Sequence, residues 1–188
     1  MKIFKNYFFY LVLFLVGLSG GARGQYTDLL NFDGTNGGES VNSLTLSGNK
    51  LFGMTLVGGT YNEGCIFSIN KNGTGYKKLL DFNDTNGAFP YGALLLSGGV
   101  LYGMTSQGGF NGLGNVFSID TDGTGFQELL AFNITNGDGP LGSLIISGNR
   151  LYGMTEIGGA NREGNIFSLN TDGTGYKELY TQGPGPYL

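Results

Sequence analysis

Two short segments carry oxygen ligands in the spacing that begins a calcium-binding loop. They span 120–123 and 170–173, where alternate side-chain oxygens and a glycine would let the chain wrap around an ion. The glutamate that such a loop needs at its twelfth position is missing, and the equivalent segment 70–73 has a lysine and no carboxylate. Asx-Gly pairs are also common in hairpin turns. We therefore expect turns and no metal site, with Asp120 and Asp122 as the candidates if calcium does bind.

The sequence offers no catalytic constellation. It has no histidine, which excludes His-based acid–base catalysis and imidazole-containing metal sites. Glu63 and Glu163 lie at equivalent positions of separate repeats, whereas glycoside hydrolysis needs two carboxylates within about 5 to 10 Å. Cys65 is the single cysteine, and no histidine is present to activate it. We therefore expect no enzymatic activity and no cofactor.

These residues lie on a tandem repeat. LFGMT at 51–55 returns as LYGMT at 101–105 and at 151–155, and the GG, TNG and GTG segments return with the same displacement of 50 residues. No insertion or deletion separates these segments from one copy to the next. The pattern indicates one structural unit used three times within a single domain over 25–182. The predicted units span 33–82, 83–132 and 133–182.

Each unit contains four short segments with the character of β-strands. In the second unit they lie at 93–96, 100–105, 115–119 and 126–132, separated by Gly, Asn, Asp and Ser. Alternation places Tyr102 and Met104 on one face of the second strand and Leu101 on the other, so neither face is suited to water. We expect each sheet to be covered on both sides.

Four-stranded units of about 40 to 50 residues in tandem are typical of β-propeller blades. A β-helix has much shorter rungs, and a β-sandwich would not demand a strict identity pattern. The predicted fold is all-β, a β-propeller-like array of three blades plus one extra N-terminal strand at 26–32, which matches 76–82. Propellers use about 4 to 8 blades, so we expect an incomplete ring. The tail 183–188 then indicates either a truncated chain or a ring completed by self-association.

Two connections in each unit are tight turns and two are long. In an up-and-down meander the long ones share one edge of the sheet. They span 56–63, 106–113 and 156–163 within the units, and 33–42, 83–92 and 133–142 between strands of successive units. Aromatic and amide side chains there are candidates to contact a ligand. The predicted binding residues are Tyr61, Asn62, Phe89, Tyr91, Phe110, Asn111 and Asn161.

The repeated pattern LYGMTxxGGxNxxGNIFSLNTDGTGYKEL, read at 151–179 and nearly so at 51–79 and 101–129, resembles the GloVer tandem repeat of secreted bacterial proteins. The resemblance implies a propeller-like extracellular protein, often longer than this chain and sometimes ending in a surface-anchoring segment. It implies no established catalytic activity. After residue 181 the pattern breaks, since Gln182 stands where an aromatic residue should follow.

The first 24 residues have the pattern of a signal peptide. Lys2 and Lys5 precede an almost wholly apolar run at 7–18, and small residues follow up to Gly24. The run is shorter than the about 20 apolar residues that cross a bilayer, so we expect a cleaved signal and no membrane span. The expected location is outside the cell, at its surface or in the periplasm.

Charge and composition limit the partners. The chain has 10 Lys and Arg residues against 14 Asp and Glu, and three of the basic residues precede position 25, so nucleic acid is not an expected ligand. The leading interpretation is a secreted, non-enzymatic repeat module that binds a protein or a glycan. The alternative is a fragment of a larger polysaccharide-acting enzyme whose catalytic part lies elsewhere.

Overall fold

The computed structural model describes residues 26–181, and every regular element among them is a β-strand. The predicted signal at 1–24 and the tail at 183–188 lie outside the described residues. The described part has no helix with the length and hydrophobicity of a membrane span. The strands are β1 (Thr45–Ser47), β2 (Lys50–Thr55), β3 (Cys65–Asn70), β4 (Lys77–Asp81), β5 (Leu95–Ser97), β6 (Val100–Thr105), β7 (Asn115–Asp120), β8 (Gln127–Ala131), β9 (Ile145–Ser147), β10 (Arg150–Met154), β11 (Asn165–Asn170) and β12 (Lys177–Thr181).

The strands form three separate antiparallel sheets, each a four-stranded meander. The first sheet has the order β1-β2-β3-β4, the second β5-β6-β7-β8 and the third β9-β10-β11-β12. Each sheet has one register shift, at the same place in its third strand, as between Val116 and Phe117. The predicted all-β, four-stranded blades are thus confirmed.

Successive blades pack face to face through two apolar cores. The first core joins Phe52, Met54 and Ile66 of blade 1 to Leu101 and Phe117 of blade 2, among other residues. The second core repeats this arrangement one unit later, with Tyr102 and Met104 of blade 2 against blade 3. Both faces of blade 2 are therefore covered, as the alternation of its second strand predicted. Burial of these side chains is the main stabilising contribution.

The blades are closest at their short first strands, and the sheets do not close into a ring. The Thr45 hydroxyl donates to the Leu94 carbonyl, and the Ala93 amide donates to Ser143 Oγ at 2.8 Å. These contacts join neighbouring blades at, or just before, their first strands, as in a propeller. The incomplete, propeller-like array is confirmed.

The segment predicted as an extra N-terminal strand, 26–32, differs in one respect. It lies against blade 1 in the position that an outer strand takes in the other units, since Phe32 meets Phe67 edge-to-face at 5.3 Å, as Phe82 meets Phe117 at 5.6 Å. It does not, however, form a strand. The reason is physical: β4 and β8 each have a third strand to pair with, and residues 26–181 provide none for this segment.

The contact between first strands yields a stability prediction. A Cβ on Gly92 would overlap the Gly142 carbonyl oxygen of the next blade, whereas a Cβ on Gly142 would have no atom within 4 Å. We expect Gly92→Ala to lower the free energy of unfolding by about 1 to 3 kcal/mol because the blades must separate. The control Gly142→Ala should change it by less than about 0.5 kcal/mol. Equal urea midpoints for the two variants would contradict this packing.

Candidate functional site

The long connections lie together along one edge of the array, which we call the loop edge. It comprises the ranges 33–42, 56–63, 83–92, 106–113, 133–142 and 156–163. In each unit the link before the blade pairs with the loop between the second and third strands through two backbone hydrogen bonds of 2.7 to 3.3 Å. In the second unit these join Ala88 and Gln107. The loops are therefore held by main-chain contacts that do not depend on the side chains at their tips.

The TNG segments fix the shape of the links. In the second unit the Asn83 amide donates to Asn86 Oδ1 at 3.0 Å, and the Asn86 amide donates to Asn83 Oδ1 at 3.1 Å. The Asn86 side-chain amide also donates to the Asp81 carbonyl at 3.1 Å. Side chains that replace backbone partners in this way stabilise turns. The first and third units use the same bonds.

A buried residue at the start of each third strand makes hydrogen bonds that hold the neighbouring backbone. Asn115 is fully buried, accepts a bond from the Thr105 hydroxyl at 2.9 Å, and donates to the Asn86 carbonyl and to Glu128 Oε2. In the first unit Cys65 takes this position, with its Sγ 3.3 Å from the Thr55 hydroxyl. Burial raises the pKa of the Cys65 thiol. Cys65 thus has the surroundings of a structural residue.

The predicted binding residues all lie on the loop edge, and all but one of them are exposed. Tyr61, Tyr91 and Phe110 are exposed, and Phe110 is 85% accessible. Asn62, Asn111 and Asn161 are exposed too, whereas Phe89 is half-buried. The base of the Phe110 loop is held because its amide donates to Glu128 Oε2 at 3.1 Å. An exposed aromatic ring on a fixed backbone is a ready contact surface.

Two of the predicted residues have conformational roles. Asn62 has a φ of 61°, and its Oδ1 accepts a bond from the Gly58 amide at 3.1 Å, which closes its loop. Phe89 has a φ of 53°, donates its amide to the Glu63 carbonyl and accepts the Ser106 hydroxyl. The left-handed region is sparsely used by residues other than glycine. Both residues therefore shape the loop edge.

A groove of ≈ 490 Å³ runs between the loops of blades 2 and 3. Of the predicted residues it includes Tyr91. Its lining is Tyr91, Ser106, Gln107, Gly112, Leu113, Asp138, Gly139, Leu141, Glu156 and Ile157. Its lining combines apolar side chains with polar and acidic groups.

Two carboxylates give the groove its charge. Burial raises the pKa of the Asp138 carboxyl, and the neighbouring Glu156 carboxylate raises it further. The backbone around them is fixed, since the Asp138 amide donates to the Ile157 carbonyl at 2.9 Å. An acidic, partly apolar groove favours ligands that carry hydroxyl or cationic donors beside an apolar surface.

Sequence reasoning missed Asp138 and Glu156. The information was present in the repeat, because Asp138 replaces Gly38 and Ala88, and Glu156 replaces Leu56 and Ser106. Both are positions at which the third unit departs from the other two. Residues that all three units share do not include them, and only the positions at which the units differ reveal them.

The other sequence candidates lie apart from the groove. The Thr124 hydroxyl and the Thr124 amide both donate to Asp122 Oδ1. These bonds, the hydroxyl's first, hold the pKa of Asp122 below its ordinary value. Asp120 flanks the same turn. Glu63 and Glu163 lie on the loops of blades 1 and 3, and blade 2 stands between them. Across residues 26–181, no group of three or more His, Cys, Asp or Glu side chains could hold a metal ion.

Comparison with known proteins adds a family and a fold. The family model of the Gloeobacter/Verrucomicrobia repeat matches residues 13–184. A chain of the nidogen/laminin complex is similar with a TM-score of 0.53 and 17% identity, over 70% of this chain and 44% of that chain. The putative TolB from Agrobacterium tumefaciens gives a TM-score of 0.50 and 15% identity, over 72% of this chain and 43% of that chain. A search of curated proteins found no match.

Both solved structures are propeller-like, and at these identities the likeness shows the fold alone. This chain spans less than half the length of each of the two chains. The array of three blades therefore corresponds to part of a propeller-like fold.

Proposed function

The chain belongs to the Gloeobacter/Verrucomicrobia repeat family, and from this premise we propose that it is an exported, non-enzymatic module that binds a protein or a glycan at its loop edge. Export is proposed from the N-terminal pattern of basic, apolar and small residues at 1–24. Binding is proposed from the groove between blades 2 and 3. The absence of histidine supports a role without general acid–base catalysis by imidazole.

The observation that carries the proposal is the contrast between fixed loop backbones and variable loop side chains. All three units use the same backbone bridge between link and loop. At the tips, however, the side chains differ: Tyr61 corresponds to Asn111 and Asn161, and Thr60 to Phe110. A surface that is rigid in backbone and varied in side chain is suited to recognition.

The chemistry of the edge fits ligands that present both an apolar face and hydrogen-bond donors. Tyr91 and Leu141 offer apolar surface at the groove, and Asp138 and Glu156 accept hydrogen bonds. A sugar ring has this combination, and so does a protein segment with a basic and an apolar side chain. The similar chain of the nidogen/laminin complex belongs to an assembly of two proteins, which is in keeping with the protein alternative.

The proposal predicts that binding depends on two exposed aromatic residues. We expect a Tyr91→Ala, Phe110→Ala double variant to bind at least about tenfold more weakly, which corresponds to about 1.4 kcal/mol. Ligands are first selected with the unaltered chain on a glycan array and on a displayed peptide library, and affinities are then measured by calorimetry. The control is Tyr26→Ala, which removes a ring as exposed as that of Phe110 but outside the loop edge.

The two arms of this experiment separate the ligand classes. Saturable binding to the glycan array alone identifies a glycan ligand, and saturable binding to the peptide library alone identifies a protein ligand. If neither the glycan array nor the peptide library yields a ligand, or if the double variant binds as well as the control, the loop edge is not the binding surface. Turnover of a polysaccharide that disappears in Glu63→Gln or Glu163→Gln would instead support the enzyme alternative.

A further inference from the structure

Within residues 26–181, the array ends in a sheet face that is built like an internal one but has no blade packed on it. On blade 3 this end face consists of Ile145, Tyr152, Met154 and Ile166, around a depression of ≈ 220 Å³. Met154 is 59% accessible, whereas Met104, its counterpart one unit earlier, is 2% accessible. Contiguous apolar surface of this kind is uncommon on a protein that stays alone.

Blade 1 presents the opposite face at the other end of the array. It consists of Leu44, Leu51, Phe67 and Ile69, which line a cavity of ≈ 270 Å³ together with Leu29, Leu30 and Phe32 of the N-terminal segment. That segment packs on Phe67, which is 3% accessible, as is Ile69. Leu44 is 52% accessible, whereas its counterpart Leu94 is 4% accessible because blade 1 covers it. The blade 3 end thus lacks the cover of a neighbouring blade, whereas the blade 1 end is exposed at Leu44 and covered at Phe67 by residues 26–32.

We propose that the end face of blade 3 docks onto this face of blade 1 in a second copy of this chain, so that two chains form one closed ring of six blades. The internal interfaces supply the model for this contact. Phe52, Met54 and Ile66 cover Leu101 and Phe117, as the first core shows. Tyr152, Met154 and Ile166 are the repeat counterparts of the first set, and Leu51 and Phe67 are the counterparts of the second.

The size and composition of the faces favour a second copy over an unrelated partner. Six blades fall within the about 4 to 8 that closed propellers use. The eight side chains named for the two faces are all uncharged. An unrelated partner would have to reproduce the spacing of a neighbouring blade, which this chain already possesses at its own ends.

A polar contact at the inner strands has matching groups at both ends. Between blades 2 and 3 the Ala93 amide donates to Ser143 Oγ at 2.8 Å. In the docked ring the corresponding donor is the Ser143 amide of blade 3, and the corresponding acceptor is Oγ of Ser43 in the second copy. Ser43 and Ser143 are both exposed, so the hydroxyl is accessible for this bond.

Docking requires the N-terminal segment to move aside. Leu29 touches Gly73 where Leu129 of a preceding outer strand touches Gly173, so the segment and the incoming β12 compete for one position. Strand β12 is paired with β11, whereas residues 26–32 have no strand partner in the part of the chain that the structure describes. When β12 of the second copy replaces residues 26–32, the contacts at the outer strand stay similar. The apolar side chains at the inner strands of both faces become covered in addition.

The test is sedimentation velocity of the chain from residue 25 onward, across concentrations, with one charge introduced on each face. Met154→Asp and Leu44→Asp each place a carboxylate in both interfaces of a homodimer, and each should weaken association at least about hundredfold. Both residues are exposed in the single chain, so both variants should fold with only slightly lowered urea midpoints. Gln127→Asp, an exposed position on β8, is the control.

A mixture of the two variants distinguishes this arrangement from other dimers. Met154→Asp keeps an intact blade 1 face, and Leu44→Asp keeps an intact blade 3 face. One of the two interfaces can therefore form between them, so the mixture should recover association that neither variant shows alone. Two like faces meeting would instead leave one of the variants unaffected.

Leu29→Asp provides a separate readout of the competition. Because it weakens the hold of residues 26–32 on blade 1, it should tighten association several-fold. A chain that stays monomeric at all concentrations, a mixture that does not recover, or association insensitive to both face variants would overturn the proposal. The loop-edge residues lie in neither face, so these results are independent of ligand binding.

Discussion

Met104→Asp should lower the free energy of unfolding by about 3 to 5 kcal/mol, the cost of leaving a charge buried without a partner. Met104 is 2% accessible and packs with Tyr102, Val116 and Phe167 between blades 2 and 3. Unfolding in urea, followed by tyrosine fluorescence or circular dichroism, measures the change. It should appear as a large fall in the midpoint.

The repeat supplies the matched control. Met154→Asp makes the same substitution at the same position of the next unit, where the side chain is 59% accessible, so it should cost less than about 1 kcal/mol in the single chain. Measured at concentrations too low for association, the two midpoints should differ clearly. Similar midpoints would mean that the face of blade 2 is not covered by blade 3.

Phe117→Ala should be as damaging, at about 3 to 5 kcal/mol. Phe117 is fully buried, meets Phe82 edge-to-face at 5.6 Å and stacks with Phe126 at 5.7 Å. Its ring also lies on Gly103 across the strand pair, where any Cβ would overlap it. Removing the ring leaves a cavity next to a glycine, and no neighbouring side chain on that strand position can fill it.

Phe110→Ala is the control for this second substitution. It deletes the same ring from a loop tip that is 85% accessible, and it should change the free energy of unfolding by less than about 0.5 kcal/mol. Thermal unfolding of both variants checks the difference. Comparable melting temperatures would show that Phe117 is not central to the packing between blades 1 and 2.

Much of the fold follows from the repeat. The second strand of the middle blade was predicted at 100–105 and lies at Val100–Thr105. The first strand was predicted at 93–96 and begins later, at Leu95, because the Ala93 amide bonds to Ser143 of the next blade and not within its own sheet. Such an exchange depends on how blades meet, and a strand pattern cannot reveal it.

The N-terminal segment illustrates the same limit. Its likeness to 76–82 correctly predicts its place against blade 1, as the Phe32–Phe67 contact shows. Strand formation also requires a hydrogen-bonding neighbour, and the residues that the structure describes provide none for 26–32. Local sequence determines which face the segment covers, and tertiary pairing determines whether it becomes a strand.

The groove could not be predicted for a different reason. It forms where the loops of two blades meet, so its lining comes from both units, as with Gln107 and Asp138. Residues that recur in every unit build the blade, and residues that occur once are the ones available to a ligand. The predicted residue Tyr91 lines the groove, and Asn62 and Phe89 instead shape the loops.

The backbone bridges between links and loops have an evolutionary consequence. Because they join main-chain groups such as those of Gly38 and Val57, mutation at the loop tips leaves these bridges intact. Duplication of a whole unit would likewise carry both packing faces with it and add a new pair of loops in register. Gain or loss of complete units should be tolerated in descendants, whereas a single-residue insertion within a strand should be purged.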